Sequence, residues 1–340
     1  MAVRLPHTGH GIQFSPYDAH LVGVVSSQHY GIVGAGAIQV LFYDPETGSL
    51  SPAGAVGETR DGVYDLAWSE AVETHLVTAG ADGMVRMYDT AAPPGLVGGA
   101  GAAPPPIAGW EFHTAEVASV AWGGVDKTRF ASSSWDASIA VWDPTGTQPV
   151  SVLSGFKYCV YQVTWSPDSP HILAGASGDA TARLFDLAVG NDPVLTIPAH
   201  DYEILTCDFN KYAPHILATG STDKSIALWD TRKPDAPFSI LDGHSLAVRN
   251  VRFSPWSSST LASVGYDMAA MVWDIGLESG APPTILQRAE HHSEFVVGLD
   301  WSLFLQDVLA TAAWDCSAYV FPLGIDPSTI PLPPSPLPQT

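Results

Sequence analysis

An aromatic residue followed by a polar or turn residue recurs seven times along the chain, and this period constrains the fold more than any other feature. Successive pairs are separated by 45, 54, 43, 44, 44 and 48 residues. A repeat of roughly 40–45 residues with a Trp-Asp signature is typical of a β-propeller built from four-stranded blades. The sequence therefore predicts an all-β, seven-bladed propeller whose function lies on a ring-shaped binding surface. The seven pairs are Tyr43-Asp44, Tyr88-Asp89, Trp142-Asp143, Phe185-Asp186, Trp229-Asp230, Trp273-Asp274 and Phe321-Pro322.

Each repeat contains an alternating apolar segment that ends in an aromatic residue, the pattern of a half-buried strand. The last repeat shows only three strands, whereas residues 2–5 precede the first strand of repeat one. We therefore expect residues 2–5 to form the outer strand of the last blade, which protects the sheet edge and joins the two ends of the chain. The first strands are expected at Val63–Trp68, Val117–Trp122, Val160–Trp165, Ile204–Phe209, Val248–Phe253 and Val296–Trp301.

Four repeats carry a His, a Ser or Thr, an Asp and an aromatic residue in one fixed register. Buried polar groups must satisfy one another, so we expect a hydrogen-bonded chain in each of these blades. A catalytic triad is disfavoured because the set recurs in four blades, whereas an enzyme needs one nucleophile in one cleft. Repeats two and four have Thr59 and Phe156 in place of the His, and packing is expected to substitute there. The sets are His113, Ser132, Asp136 and Trp142; His200, Thr219, Asp223 and Trp229; His244, Ser263, Asp267 and Trp273; and His292, Thr311, Asp315 and Phe321.

The chain has 35 acidic and 14 basic residues and a net charge of −21. This balance argues against a nucleic-acid partner, which requires Lys and Arg clusters, and favours a cationic one. Cys159, Cys207 and Cys316 lie far apart, so the sequence predicts neither a disulfide framework nor a zinc site. No phosphate loop, metal-ligand cluster or nucleophile motif stands out, which predicts a protein that is not an enzyme and needs no cofactor or metal. Without a secretory or membrane-spanning segment, we expect a soluble, intracellular, monomeric propeller.

Two segments fall outside the repeat. Residues 91–109 are rich in Pro, Gly and Ala and lengthen the connection after the third strand of repeat two, which places them on the face opposite the rim described next. We expect the propeller to span residues 1–322 and residues 323–340 to form a Pro-rich flexible tail. The tail contains a P-x-x-P pattern at residues 331–334.

One face of the predicted propeller combines carboxylates with large aromatic side chains. In this strand order, the segments that enter the first strands share a face with the turns between the second and third strands. An apolar peptide face with a few cationic side chains docks on a surface of this composition. The residues before the first strands are Asp61, Glu116, Tyr158, Tyr202, Glu203 and Glu294, and those before the turn Asp residues are Trp135, Tyr266 and Trp314.

Several longer strings resemble the peroxisomal import receptors for the type-2, N-terminal targeting signal, the seventh-peroxin family of WD-repeat proteins. The resemblance covers about residues 9–322 and is far more specific than a generic Trp-Asp repeat. The strings are residues 197–212 (IPAHDYEILTCDFNKY), 290–295 (EHHSEF), 298–300 (GLD), 64–70 (YDLAWSE), 28–32 (QHYGI), 133–136 (SSWD), 159–162 (CVYQ) and 263–267 (SVGYD). The insert and the Pro-rich tail are the main departures from the family pattern.

The resemblance implies a cytosolic receptor that cycles to the peroxisomal matrix. It would bind the amphipathic signal helix of matrix proteins, such as a thiolase, together with a co-receptor that links the complex to the docking machinery. By motif position, Asp61, Glu116 and Glu203 are candidates to meet the signal's Arg. The remaining candidates for the peptide-binding face are Tyr64, Trp135, Tyr158, Tyr161, Tyr266, Glu294 and Trp314.

Two other binding functions remain open from the sequence. Residues 229–232 (WDTR) end a repeat as in substrate adaptors of cullin-type ubiquitin ligases, although Arg232 can also pair with a neighbouring carboxylate. A peptide-binding scaffold of the chromatin type would share the acidic face and take a histone tail.

Overall fold

A computed structural model describes residues 1–91, 105–330 and 332–333. Within these residues, 28 strands form seven antiparallel four-stranded sheets, which we call blades 1 to 7 in chain order. Two short 3-10 helices, Gln28–Gly31 and Pro327–Thr329, complete the described secondary structure. No helix in this part of the chain is long and apolar enough to cross a membrane. The prediction of an all-β, seven-bladed propeller is confirmed.

The strands of each blade follow one another from the central channel to the outside. Blade 1 consists of β2 (Thr8–Phe14), β3 (Leu21–Ser27), β4 (Gly36–Asp44) and β5 (Ser49–Glu58). Blade 2 consists of β6 (Val63–Trp68), β7 (His75–Gly80), β8 (Met84–Asp89) and β9 (Ala108–Glu111). Blade 3 consists of β10 (Val117–Trp122), β11 (Phe130–Ser134), β12 (Ile139–Trp142) and β13 (Ser151–Leu153). Blade 4 consists of β14 (Val160–Trp165), β15 (Ile172–Ser177), β16 (Thr181–Asp186) and β17 (Pro193–Pro198).

The remaining blades repeat this order until the ring closes. Blade 5 consists of β18 (Ile204–Phe209), β19 (Ile216–Ser221), β20 (Ser225–Asp230) and β21 (Ser239–Asp242). Blade 6 consists of β22 (Val248–Phe253), β23 (Thr260–Gly265), β24 (Ala270–Asp274) and β25 (Thr284–Ala289). Blade 7 consists of β26 (Val296–Trp301), β27 (Val308–Ala313), β28 (Ser317–Pro322) and, as its outer strand, β1 (Ala2–Arg4).

Strand β1 closes the ring as predicted. It pairs antiparallel with β28, with Val3 opposite Ala318. Val3 and Leu5 are buried in a cluster that also contains Ile12 and Phe14 of blade 1. The two ends of the repeat array are therefore held by backbone pairing and by shared apolar packing.

The apolar core lies between blades, because each sheet packs one face on the next. The aromatic residue that closes each repeat is buried at every one of the seven positions, which gives the sequence period its physical cause. Burying such a side chain contributes roughly 1.5–3 kcal/mol relative to leaving it exposed. These residues are Tyr43, Tyr88, Trp142, Phe185, Trp229, Trp273 and Phe321.

The four polar sets are hydrogen-bonded chains, which begin at a Trp in blades 3, 5 and 6 and at Thr311 in blade 7, where Phe321 has no polar group. In blade 3, Trp142 Nε1 lies 2.8 Å from Ser132 Oγ, which lies 2.8 Å from His113 Nε2. His113 Nδ1 lies 2.9 Å from a carboxylate oxygen of Asp136. Because an ionised carboxylate only accepts, the proton order runs from Trp through Ser and His to Asp. The corresponding His–Asp distances are 2.8 Å for His200–Asp223, 2.9 Å for His244–Asp267 and 3.0 Å for His292–Asp315.

Blades 2 and 4 correct the expectation that packing alone replaces the missing His. In blade 4, Arg183 pairs with Asp179 at 3.0 Å and stacks on Phe156, 4.8 Å from the ring centroid. In blade 2, Arg86 pairs with Asp82. An Arg–Asp pair therefore holds the turn that a His–Asp pair holds in the other blades. In both blades the cation lies on the third strand and not at the position of the His.

The C-terminal segment differs from the flexible tail that its composition predicts. Residues 323–330 and 332–333 lie against blades 6 and 7, where Leu323, Ile330 and Leu332 pack on the core. Gln287 donates to the Ile325 carbonyl at 2.7 Å. The apolar side chains between the prolines explain this attachment. The boundary at residue 322 therefore does not separate packed from unpacked chain, and residues 331 and 334–340 lie outside the described part.

The long insert joins the third and outer strands of blade 2. Residues 108–109, which the composition assigned to the insert, belong to β9. Residues 92–104 lie outside the described part of the chain.

Candidate functional site

A depression of about 590 Å³ opens at one end of the central channel, and we call it the mouth. It lies on the face that carries the segments before the innermost strands and the turns between second and third strands. This is the face to which the sequence assigned peptide binding. The mouth is lined by two layers of side chains, an inner ring from the strands and an outer layer from the loops.

The inner ring arises from a β-bulge that recurs in every blade. In blade 2 the pairing of β6 with β7 shifts between Val63 and Asp65, which leaves Tyr64 unpaired. A bulge re-aims the unpaired side chain and bends the strand. The same shift occurs at the second or third residue of all seven inner strands, and all seven unpaired residues line the mouth. They are His10, Tyr64, Ala118, Tyr161, Leu205, Arg249 and Val297.

The outer layer is largely aromatic. A continuous series of ring contacts joins it to the inner ring, with centroid distances of 5.9 Å for Trp135–Tyr64, 5.6 Å for Tyr64–His10 and 5.9 Å for His10–Trp314. Phe295 continues it at 5.2 Å from Trp314 and stacks on Tyr266 at 4.6 Å. Such contacts hold the rings in fixed positions before any ligand arrives, and preorganisation of this kind favours affinity.

The irregular first blade adds a strained loop to the mouth. His29, Tyr30 and Gly31 have φ values of 46°, 61° and 81° in succession. Left-handed backbone at non-glycine residues is costly and is frequent at functional sites. The loop places the Tyr30 ring 5.2 Å from that of Trp314. The Tyr64 hydroxyl donates to the Gly31 carbonyl at 2.8 Å, and a Cβ at Gly31 would lie 2.4 Å from the Tyr64 ring.

The electrostatics of the mouth favour a mixed apolar and cationic ligand. Glu116 and Glu294 contribute carboxylates to its lining, and Arg249 is the only Lys or Arg among the lining residues. Burial, together with Arg249, lowers the pKa of His10 to about 3, so this imidazole is neutral at physiological pH. Burial and the nearby Glu203 raise the pKa of Tyr161 to about 12, so its hydroxyl keeps its proton.

One hydrogen-bond donor in the mouth is unused. The Trp314 indole Nε1–H is buried and has no acceptor in the described residues. A buried donor without a partner costs roughly 1–3 kcal/mol. A bound peptide that offers a carbonyl oxygen at this point would remove that cost.

Seven of the ten predicted peptide-contact residues line the mouth. The other three lie outside its lining: Asp61 is exposed before β6, Tyr158 is 64% exposed before β14, and Glu203 is exposed before β18. A Cβ at Gly178 would lie 3.4 Å from Tyr158 and 3.6 Å from Glu203, which places these two side chains together above blade 4. All three precede inner strands and therefore lie on the face that carries the mouth. The seven lining residues are Tyr64, Glu116, Trp135, Tyr161, Tyr266, Glu294 and Trp314.

Sequence reasoning missed several lining residues. Phe295 directly follows the predicted Glu294, and Tyr30 and Ile32 lie in the matching string at residues 28–32. His10, Leu205 and Arg249 occupy the bulge position, which a comparison of the seven inner strands would have found.

Nothing in the lining combines a nucleophile with a base, and the described residues contain no group of His, Cys, Asp and Glu that could hold a metal. The arrangement is suited to binding.

The repeats define the class of protein. The WD domain, G-beta repeat family (WD40) matches residues 54–89, 105–143, 147–186, 191–230 and 236–274, which is more than half of the chain. Together with the seven closed blades, this shows that the chain belongs to the WD40 repeat family.

Among proteins of this class, the chain is similar to receptors of one kind. It is 42% identical over 137 residues to the peroxisomal targeting signal 2 receptor of Dictyostelium discoideum, a match that covers 40% of each chain. It is 31% identical over 207 residues to the receptor of that name from Saccharomyces cerevisiae, covering 53% of this chain and 52% of the relative. The receptor of that name from Mus musculus is 36% identical over 176 residues, 51% of each chain. These matches confirm the resemblance, although the chain spans only about half the length of the curated relatives it matches.

Proposed function

We propose that this protein is an import receptor that binds the N-terminal type-2 peroxisomal targeting signal as an amphipathic helix laid across the mouth. The observation that carries the proposal is the mouth itself, in which seven bulged side chains and a fixed aromatic layer meet the carboxylates of Glu116 and Glu294. The printed names of the relatives support the same function.

The apolar stripe of such a helix has a matching surface. Trp135, Tyr266, Phe295 and Trp314 offer rings, and Leu205 and Val297 offer aliphatic groups, on the lining of one concave surface. A helix that docks in a groove is held by apolar residues spaced along one face, which the mouth accommodates. Large aromatic side chains at the centre of an interface supply most of its binding energy.

The cationic side chains of the helix have partners at the edge. Glu116 and Glu294 lie in the lining, while Glu203 and Asp61 extend the negative surface outward. A charge-assisted hydrogen bond from an Arg to a partly desolvated carboxylate contributes roughly 1.5–3 kcal/mol, against below about 1 kcal/mol for a fully solvated pair. Glu116 is therefore the strongest candidate for the signal's Arg, because it is half-buried and lies near Tyr64, whose pKa is raised by burial and by the Glu116 charge.

The wider assignment follows from the family resemblance. Cargo would be a matrix protein such as a thiolase, and a co-receptor would cover the exposed side of the signal helix and connect the complex to the docking machinery. The receptor would act from the cytosol, cycle to the peroxisome and catalyse no reaction. The ubiquitin-ligase alternative gains nothing from the structure, because the Arg232 guanidinium pairs with Asp230 at 2.8 Å and needs no partner protein.

A titration of a labelled type-2 signal peptide, with a co-receptor fragment present, tests this function. Glu116→Lys is expected to weaken binding at least tenfold, since it replaces an attraction by a repulsion at a half-buried position. Glu46→Lys is the matched control, because Glu46 is exposed on the connection between β4 and β5, at the opposite face. Equal affinities of the two variants, or equally tight binding of a histone-tail peptide, would contradict the assignment.

A further inference from the structure

The other end of the channel carries a second surface that the proposed function does not use. It is formed by the seven connections between first and second strands, and we call it the far face. These connections are residues 15–20, 69–74, 123–129, 166–171, 210–215, 254–259 and 302–307. Pro16, Pro167, Pro255 and Leu303 from them line the lower part of the channel, which shows that they surround one opening.

Blades 5, 6 and 7 give the far face an apolar half. Tyr212 is 57% exposed, Trp256 38%, Leu303 47% and Phe304 46%. Tyr212 donates its hydroxyl to the Pro255 carbonyl at 2.8 Å, and Trp256 donates Nε1 to the Ser302 carbonyl at 2.9 Å. Each polar tip is thus satisfied by the next blade, while the ring surfaces face solvent. The four side chains form one arc across three consecutive blades.

Blades 1 to 4 give the far face an acidic half. Their connections contain five carboxylates and, apart from His20 and His171, only two basic residues, Lys127 and Arg129. Lys127 is already paired with Glu70 at 3.3 Å. Tyr17, at 39% exposure, lies at the border of the two halves in blade 1. The five carboxylates are Asp18, Glu70, Glu73, Asp126 and Asp168.

We propose that the far face is a second docking surface, for a partner segment that is apolar with aromatic or branched aliphatic side chains in one part and rich in Lys and Arg in the other. Contiguous exposed apolar patches rimmed by polar residues mark interaction sites, whereas single exposed apolar residues do not. The excess of carboxylates over cations selects a basic partner and speeds its encounter. The two openings lie at opposite ends of the channel, so this partner and a ligand of the mouth bind at the same time.

Peptide phage display on the full chain tests this inference. Peptides of about 16 residues are selected on the wild-type protein and depleted on Phe304→Ser, so that only far-face binders remain. Because Phe304 is half exposed, this variant is expected to fold, and an unchanged melting temperature verifies it. The affinities of the selected peptides are then measured by fluorescence anisotropy for wild type, Tyr212→Ser, Glu73→Lys and Glu116→Lys.

We expect enriched peptides that combine apolar residues with Lys or Arg. Their affinity should fall about tenfold with Tyr212→Ser, about threefold with Glu73→Lys and not at all with Glu116→Lys, which alters the mouth.

A loss of affinity with Glu116→Lys, enrichment of acidic peptides, or no enrichment would overturn the inference. The inference would also be overturned if the wild-type protein sediments as a dimer and the Phe304→Ser variant as a monomer. A second copy of the chain would then occupy the far face. Binding that appears only after removal of residues 334–340 would identify the chain's own terminus instead. None of these results depends on whether the signal peptide binds the mouth.

Discussion

At the scale of the residue, the His–Asp pairs explain how buried polar side chains inside the blades have their hydrogen bonds satisfied. Asp136 accepts from His113, from Ser138 at 2.6 Å and from the Thr114 backbone at 3.1 Å. Burial raises the pKa of this carboxyl, but the hydrogen bonds from His113 and Ser138 outweigh it and lower the pKa to about 2. The ionised form is therefore part of the folded structure.

This pKa predicts an acid-dependent contribution to stability. A carboxyl whose pKa is lower in the folded state stabilises the fold above its unfolded pKa, near 4, and loses that contribution as the pH falls toward 2. Asp136→Asn should lower the free energy of unfolding by about 1–3 kcal/mol at pH 7. Urea denaturation of both proteins should show this difference shrinking between pH 4 and pH 2. An unchanged difference across that range would contradict the assignment, and Asp126→Asn, at an exposed position, serves as the neutral control.

At the scale of the element, the blades are joined through their innermost strands. The Gln13 side chain accepts from the Trp68 backbone at 2.8 Å, and Asp65 accepts from Val120 at 3.1 Å. Asp300 closes the circle by accepting from Phe14 at 2.9 Å. Each inner strand therefore orders the next one, and the bulges that form the mouth are held in register by these contacts.

Blade 4 depends on a buried ion pair where blades 3, 5, 6 and 7 use a His–Asp pair. Arg183→Met would leave Asp179 buried without its cation, a change that costs about 3–5 kcal/mol. Arg232→Met removes an Arg–Asp pair of similar length at the surface, where solvent screens the charges and the loss should be much smaller. Chemical denaturation of the two variants checks this contrast. Equal losses in the free energy of unfolding would mean that packing on Phe156, and not the ion pair, stabilises the blade.

The packing of strand β1 predicts that it stabilises the closed ring of blades. Val3→Asp puts a charge into the cluster shared by blades 7 and 1 and should lower the melting temperature by about 5–10 °C. Val194→Asp is the control. It changes an exposed valine on β17, the outer strand of blade 4, which follows the third strand of the same blade directly in the chain. Calorimetry should show little change for this second variant. Similar melting temperatures for both proteins would indicate that the ring does not need β1.

The sequence period was sufficient for the blades, the closing strand and the aromatic and acidic character of the face that carries the mouth. The bulge ring could be located only by aligning the seven inner strands, because alternation within one strand does not show where two of its residues oppose one residue of the partner strand. Tyr64 and Tyr161 were found through the family strings, while Arg249 at the equivalent position was not. The packing of the C-terminal segment is hidden for a similar reason, since its prolines are visible in the sequence but the surface that receives Leu332 is not.

At the scale of the whole molecule, the propeller is a ring with two different ends. The whole chain carries a net charge of −21. Long-range attraction of this kind raises association rates with cationic ligands and is screened by salt. The mouth adds to it a preformed aromatic surface, whereas the far face is open and divided into halves. The ends are therefore expected to receive different partners.

The most direct test of the mouth as the signal site is to map where a bound signal peptide lies. A type-2 signal peptide with a photoreactive phenylalanine analogue on its apolar stripe, bound with a co-receptor fragment, is cross-linked and the products are sequenced by mass spectrometry. We predict cross-links to Trp135, Tyr266 and Trp314 in the mouth. Cross-links confined to residues 210–215, 254–259 and 302–307 on the far face would contradict the account.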